Sequence, residues 1–393
     1  MPARTHWGWF APLDAARRPL AWPEELLYVG PHGLGDTLVA LPTLRRIRRA
    51  APHTRVTWMA RAELEPVVRM MGVDAFQDRD ERSRLDVRRF GAIVASADFD
   101  AAFFGGIERV EQVPVRIGPS GSRERPRVWN HLVKATRFGY PRHEAQRYLR
   151  RLLPFGCGQA ASAEELARDC RLQAPATALP PDVPTRAHVV LHPFSMGHGR
   201  EWPLAHWIEL ANLLAQAGVP VVFTGSAAEG ERLARAWPQA ARPAGVIDTC
   251  GRLDLLQLCA LLQAARAMAA SGTGPLHLAA ALGTPTLGLY PPRKGVAVGR
   301  WAALGPAAVS VQLQSRCVRA ECQNDACQCM AALAPQRVAS ALQPAPGRTL
   351  DVEALSPYLL ASPCNEAALT AIETTPTGDQ RCPNRSAAIR SPT

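Results

Sequence analysis

Apolar residues along this chain come in short unbroken runs separated by longer amphipathic stretches. That is the pattern of parallel strands buried on both faces, with helices covering them. LLYV at 26–29 opens the series, followed by a loop at 31–35 and a helix predicted over 36–49, opened by Asp36, with Leu38, Leu41, Leu44 and Ile47 on one side. A strand over 55–59 and a helix over 63–71 come next, and strand and helix alternate again through 91–104. RIGPSGSRERPR at 116–127 reads as a basic loop, and a helical stretch around 143–153 leads into a Pro/Ala-rich passage at 174–184.

The alternation then starts afresh. A strand at 187–191 precedes a loop at 192–202, a helix over 205–217, a strand over 219–224, a turn at Gly225 and Ser226, and a helix to about 237. A short strand near Val246, a helix over 255–265 and a strand over 264–270 lead to Ser271-Gly272-Thr273-Gly274-Pro275, then a small-residue helix at 276–282 and a strand at 286–290. Two such series predict an α/β fold of two doubly wound domains that face each other across a cleft, with ligands at the carboxyl ends of the strands. The expected division is 24–173 for the first domain, 174–185 for a linker and 186–340 for the second. Residues 1–23 are expected to be a loosely ordered arm and 341–393 a mostly disordered tail, because neither has an apolar period.

The Ser271–Pro275 turn carries the clearest candidate chemistry. Gly272 and Gly274 let backbone approach a ligand, Pro275 suits a first helical turn that needs no N–H, and the helix dipole adds partial positive charge, which together make an anion site suited to phosphate. The same residues also satisfy an ordinary strand-to-helix turn. Composition narrows the partners. The net charge of +11 comes almost wholly from arginine, Lys134 and Lys294 being the only lysines, and points to anionic ligands or an acidic membrane face. Nucleic acid is not expected, since basic residues do not alternate with aromatic ones. No apolar run reaches the roughly 20 residues of a membrane span, and the first residues lack a signal-peptide core, so the cytoplasm is the expected location.

Four pieces in order, GLGDTLVALPTLRRIRRAAP at 33–52, RIG at 116–118, HPFSMGHGREWPLAHW at 192–207 and TGPLHLAAALGTPTLGLYPP at 273–292, resemble glycosyltransferase family 9, the bacterial lipopolysaccharide heptosyltransferases. The resemblance implies two facing Rossmann-like domains of the GT-B type. It also implies inverting transfer of a sugar, with heptose from ADP-heptose leading, to the anionic lipid-linked inner core of lipopolysaccharide, without a cofactor or metal and with peripheral contact at the inner membrane. Asp36 occupies the position of the family's general base, and a helix cap is the other reading of the same carboxylate. Arg200, where the family usually has lysine, would steady the departing diphosphate. Ser195, Gly272, Thr273, Gly274 and His277 would line the donor site, with Glu229 accepting from ribose hydroxyls or simply serving as a first-turn acid. Gly35, Arg61 and Arg116 are the acceptor-side candidates, chosen over Arg123, Arg125 and Arg127.

Where the family commonly has Asp-Thr-Gly, this chain has Gly272, which leaves a hexose or N-acetylhexosamine donor open. A non-catalytic nucleotide-sugar-binding protein of glycan assembly is the competing function. Asp98-Phe99-Asp100 has the form of a metal-holding motif but precedes a strand, and Cys317, Cys322, Cys327 and Cys329 lack zinc-ribbon spacing; zinc, an Fe–S centre, free thiols and a local bridge all stay open for the cysteines.

Overall fold

The computed structural model describes residues 5–7, 18–96, 107, 109–119, 128–133, 143–195, 201–292, 295–312, 327–343, 350–355 and 359–361. Their strands form two seven-stranded sheets. The first contains β1 (Thr5–Trp7), β2 (Glu25–Val29), β3 (Arg55–Ala60), β4 (Ala75–Asp78), β5 (Ala92–Ala95), β6 (Val115–Pro119) and β7 (His131–Val133). It runs in the order β1-β7-β6-β5-β2-β3-β4, with every pair parallel.

The second contains β8 (Val189–His192), β9 (Val221–Phe223), β10 (Val246–Asp248), β11 (Ala267–Ser271), β12 (Thr286–Tyr290), β13 (Ala308–Gln312) and β14 (Leu359–Ala361). Its order is β10-β9-β8-β11-β12-β13-β14, parallel except for the last strand, which is antiparallel on the edge. Strand order reverses direction between β2 and β5 in one sheet and between β8 and β11 in the other. The loops leaving β2, β8 and β11 therefore open at switch points, where doubly wound sheets bind ligands.

Four local expectations differ from what forms. The helix predicted over 36–49 is two helices, Leu34–Val39 and Leu41–Ala50. Pro42 lies in the first turn of the second and has no N–H to return to the first, so the ladder breaks at Ala40. RIGP at 116–119 belongs to strand β6 and not to a loop; its arginine hid a buried strand. The expected loose arm supplies edge strand β1 beside β7 and stacks Trp22 on Phe155, ring centroids 4.2 Å apart. Beyond the helix Pro335–Leu342, Leu350 and Leu355 are buried in the second core and β14 extends the sheet. Residues 362–393 lie outside the described residues.

One contiguous apolar cluster contains Leu38, Leu41 and Leu152 from the first half and Leu276, Leu278 and Ala281 from the second, so the two domains are joined by buried surface as well as by chain. The Leu172 amide donates to the Ala281 carbonyl at 2.8 Å, fastening the end of the first half to the helix Gly274–Leu282. Among the described residues no helix is long and apolar enough to cross a membrane.

Candidate active site

Both switch points deliver glycine-rich turns to the same place. After β2 the chain passes through Gly33, which is extended and forms the N-cap of Leu34–Val39 without a side-chain cap. A Cβ on Gly35 would lie 2.9 Å from His277 Cδ2, and one on Gly274 would lie 3.0 Å from Leu34 Cβ. Side chains at either glycine would wedge the two domains apart. Gly35, expected on the acceptor side, packs against Gly274 and His277 of the second domain.

Asp36 is the third residue of its helix, so it is not the N-cap. Its Oδ1 accepts from the Tyr148 hydroxyl at 3.2 Å. Its Oδ2 lies beside Gly33, where a Cβ would come within 3.0 Å. Burial pushes the Asp36 carboxyl above the ordinary aspartate range, the nearby Glu144 charge adds to the rise, and the Tyr148 hydrogen bond and Arg300 oppose it. A carboxylate so placed is a better proton acceptor than a solvated cap.

The helix Glu144–Leu149 presents Glu144 and Tyr148 four residues apart, hence on one face. Glu144 accepts from Arg147 at 2.8 Å and from Arg300 Nε at 2.7 Å, the latter reaching across from the second domain. The two arginines hold the Glu144 carboxyl below its usual range although burial works the other way. Beside it, His143 Nδ1 accepts from the Ala145 amide, which leaves Nε2–H to donate to the Ala302 carbonyl at 2.9 Å. Burial lowers the pKa of this imidazole.

In the second domain, β11 ends at Ser271 and the helix Gly274–Leu282 begins. Thr273 is its N-cap, yet the hydroxyl makes no cap bond, and Oγ1 is buried without a hydrogen-bond partner among the described residues. An N-cap threonine ordinarily accepts from the first-turn amides; here the Thr273 hydroxyl does not. His277, one turn on, is buried and pushed down to about 3 by desolvation, with His143 adding to the shift, so it is a neutral imidazole at physiological pH.

Gly272 has φ +22°, and a Cβ there would lie 2.8 Å from Tyr290 Cε1; one on Gly288 would lie 2.6 Å from Tyr290 Cε2. Two glycines therefore make room for one buried ring, whose hydroxyl donates to the Trp301 carbonyl. A side chain at 272 would require the Tyr290 ring to shift. Gly272→Ala is expected to cost about 1–3 kcal/mol through overpacking, read as a lower midpoint of denaturant unfolding; a variant as stable as the parent would mean the ring yields freely.

Ser195, after β8, donates through both amide and hydroxyl to Glu201 Oε1, and Glu201 Oε2 receives Arg232 at 2.7 Å. Its hydroxyl hydrogen is therefore committed within the protein. Glu229, expected at the ribose, closes a capping box with Ser226, accepting from that residue's amide and hydroxyl through Oε2. Arg61 pairs with Glu63 at 2.9 Å at the end of β3. Arg116, expected to hold an acceptor anion, is 8% exposed and directs its guanidinium at the carbonyls of Glu111, Val113 and Val128. It is a fastener of β6, and the acceptor assignment is corrected accordingly.

Arg200, Gly197, Arg123, Arg125, Arg127, the Asp98-Phe99-Asp100 triplet, Cys317 and Cys322 lie outside the described residues; Cys327 is buried in the second core. Sequence reading missed Glu144, Tyr148, Arg300 and Glu201. Only the spacing of Glu144 and Tyr148 on one predicted helix could have pointed to any of them.

A family model described as glycosyltransferase family 9 (heptosyltransferase) matches residues 107–328. Lipopolysaccharide heptosyltransferase 1 of Pseudomonas aeruginosa is 28% identical over 299 residues, covering 68% of this chain and 79% of that protein. The lipopolysaccharide core heptosyltransferase OpsX of Haemophilus influenzae is 22% identical over 279 residues, again 68% and 79%. Among solved structures, the Escherichia coli ADP-heptose lipopolysaccharide heptosyltransferase II has TM-score 0.61 at 23% identity, covering 80% of this chain and 96% of that one. The E. coli heptosyltransferase WaaC with ADP has TM-score 0.57 at 19% identity, covering 80% and 97%. These likenesses show the fold, two facing Rossmann-like domains of the GT-B type. With more than half of its length matched by the family model, the chain belongs to glycosyltransferase family 9, the heptosyltransferases.

Proposed function

We propose that the protein transfers heptose from ADP-heptose, with inversion, to an inner-core sugar of lipopolysaccharide. The observation that carries this is the orphaned Thr273 hydroxyl at an uncapped helix start, on a turn whose Gly274 packs against Gly35, the neighbour of the half-buried Asp36 on the opposite domain. Asp36 Oδ2 takes the proton of the acceptor hydroxyl as its oxygen bonds to the anomeric carbon. The bond from that carbon to the diphosphate oxygen breaks, and the electron pair leaves on the ADP. Thr273 Oγ1, the Gly274 amide and the helix dipole receive the diphosphate charge, with Arg200 adding its cation by its position in the HPFSMGHGREWP run. On this reading 24–173 is the acceptor domain and 186–340 the donor domain. The arginine-rich surface favours an anionic, lipid-linked acceptor and contact with the cytoplasmic face of the inner membrane.

Gly272 supports one variant of this reading, a donor other than heptose, because the sugar-side turn carries no carboxylate. A thermal-shift panel of ADP-, UDP- and GDP-sugars separates the two, since a ligand that binds only the folded protein raises its melting temperature. The heptose reading expects the largest shift with ADP-heptose, and release of ADP only when lipid-linked acceptor is added. A preference for UDP-hexose or UDP-N-acetylhexosamine would replace the donor, and binding with no transfer to any acceptor would replace the enzyme by a binding protein.

A further inference from the structure

The Tyr148 hydroxyl is 3.2 Å from Asp36 Oδ1, on a ring that is 3% exposed and so held in place by packing. The bond spans 112 residues of sequence, joining the first helix of the chain to the helix that also carries the cross-domain Glu144. The other oxygen, Oδ2, lies beside Gly33 with no Cβ to cover it. One oxygen is therefore tethered from behind while the other is left uncovered by a glycine.

Resting on the base assignment above, we propose that Tyr148 is a positioning residue for the transfer: by donating to Oδ1 it fixes the carboxylate plane so that Oδ2 meets the acceptor hydroxyl past Gly33. The tyrosine keeps its proton throughout, because burial and the adjoining Asp36 and Glu144 charges raise its pKa well above the usual phenol range. It shapes the base and does not relay the proton. The charged and titratable groups acting on Asp36 are Tyr148 and Glu144 from one helix and Arg300 from Val298–Trp301, while His277, with His143 acting on it, lies beside the neighbouring Gly35. Of these, Tyr148 is the one hydrogen-bonded to the Asp36 carboxylate.

Tyr148→Phe keeps the ring and removes the bond. The expected result is a loss of about tenfold in kcat, short of the hundredfold or more that loss of a general base costs, with KM for ADP-heptose little changed. Because the lost bond lowered the Asp36 pKa, the acid limb of kcat/KM moves to higher pH, which a merely structural role would not produce. Gly33→Ala is the second variant. Its φ of −106° suits alanine, the new methyl crowds Oδ2, and kcat falls while the melting temperature holds.

A ¹³C NMR titration of the Asp36 carboxyl in nucleotide-free protein reads the same bond without turnover, and its midpoint rises in Tyr148→Phe. An unmoved acid limb and an unmoved titration midpoint overturn the inference. Full activity in Asp36→Asn would instead sink the base assignment beneath it.

Discussion

Asp36→Asn is expected to abolish transfer by a factor of at least about 100 while leaving affinity for ADP near that of the parent protein. The amide has nearly the shape of the carboxylate, and the proposed diphosphate contacts lie on the other domain, so ground-state binding of the nucleotide should be untouched. The same change should make the protein more stable at neutral pH. The folded-state pKa of Asp36 is raised, so its ionised form is worse off folded than unfolded. Its penalty is fully present above that raised pKa and declines as pH falls from there to the ordinary unfolded value, below which both states are protonated. A neutral asparagine removes the penalty at every pH. Activity traded against stability at one position is a signature of a functional carboxylate, and an Asp36→Asn protein that melts lower than the parent would argue for a structural role.

Glu144→Ala should produce the second large effect, through the contact between domains. Glu144 is 5% exposed and is shared by Arg147 and Arg300. Removing it leaves two cations without their anion, a change that costs roughly 3–5 kcal/mol where the pair is fully buried. Both arginines keep some contact with water, so on the order of 2 kcal/mol is expected here. A double-mutant cycle with Arg300→Ala should return a coupling of about 1 kcal/mol, and additivity would mean the cross-domain bridge is inert.

The contribution has a defined pH window. Because the Glu144 pKa is depressed on folding, its stabilisation is present above the unfolded glutamate value of about 4.3 and is lost as pH falls through the folded value. Glu144→Gln also removes a like charge near Asp36, so its acid limb of activity should move to lower pH, opposite to Tyr148→Phe.

The fold could be read from the chain because parallel strands buried on both faces are unbroken apolar runs. LLYV at 26–29, VVL at 189–191 and the TLGLY strand Thr286–Tyr290 announce themselves without any partner in view. Strand β6 escaped because Arg116 and the basic run after it resemble solvent-facing sequence, whereas its guanidinium turns inward to satisfy three carbonyls. Edge strands β1 and β14 are three residues long and carry too little pattern to read.

Of the residues proposed for the site, Asp36 and Thr273 can be singled out from the sequence alone, since they sit on glycine turns whose chemistry is local. The Glu144–Arg300 pair was not, because its partners are 156 residues apart and only the folded chain brings them together. Glu229 was open to two readings in sequence, and its capping box accounts for the carboxylate locally.

Transfer as proposed needs one arrangement, a nucleotide diphosphate at the start of the Gly274–Leu282 helix with Asp36 opposite the anomeric carbon. A crystal structure of the protein with a non-transferable ADP-heptose analogue tests it most directly. The expected result places the diphosphate within about 3 Å of Thr273 Oγ1 and the Gly274 amide, with Asp36 Oδ2 on the far side of the anomeric carbon, leaving room for an acceptor oxygen between them. A diphosphate bound elsewhere, or an anomeric carbon turned away from Asp36, would contradict it.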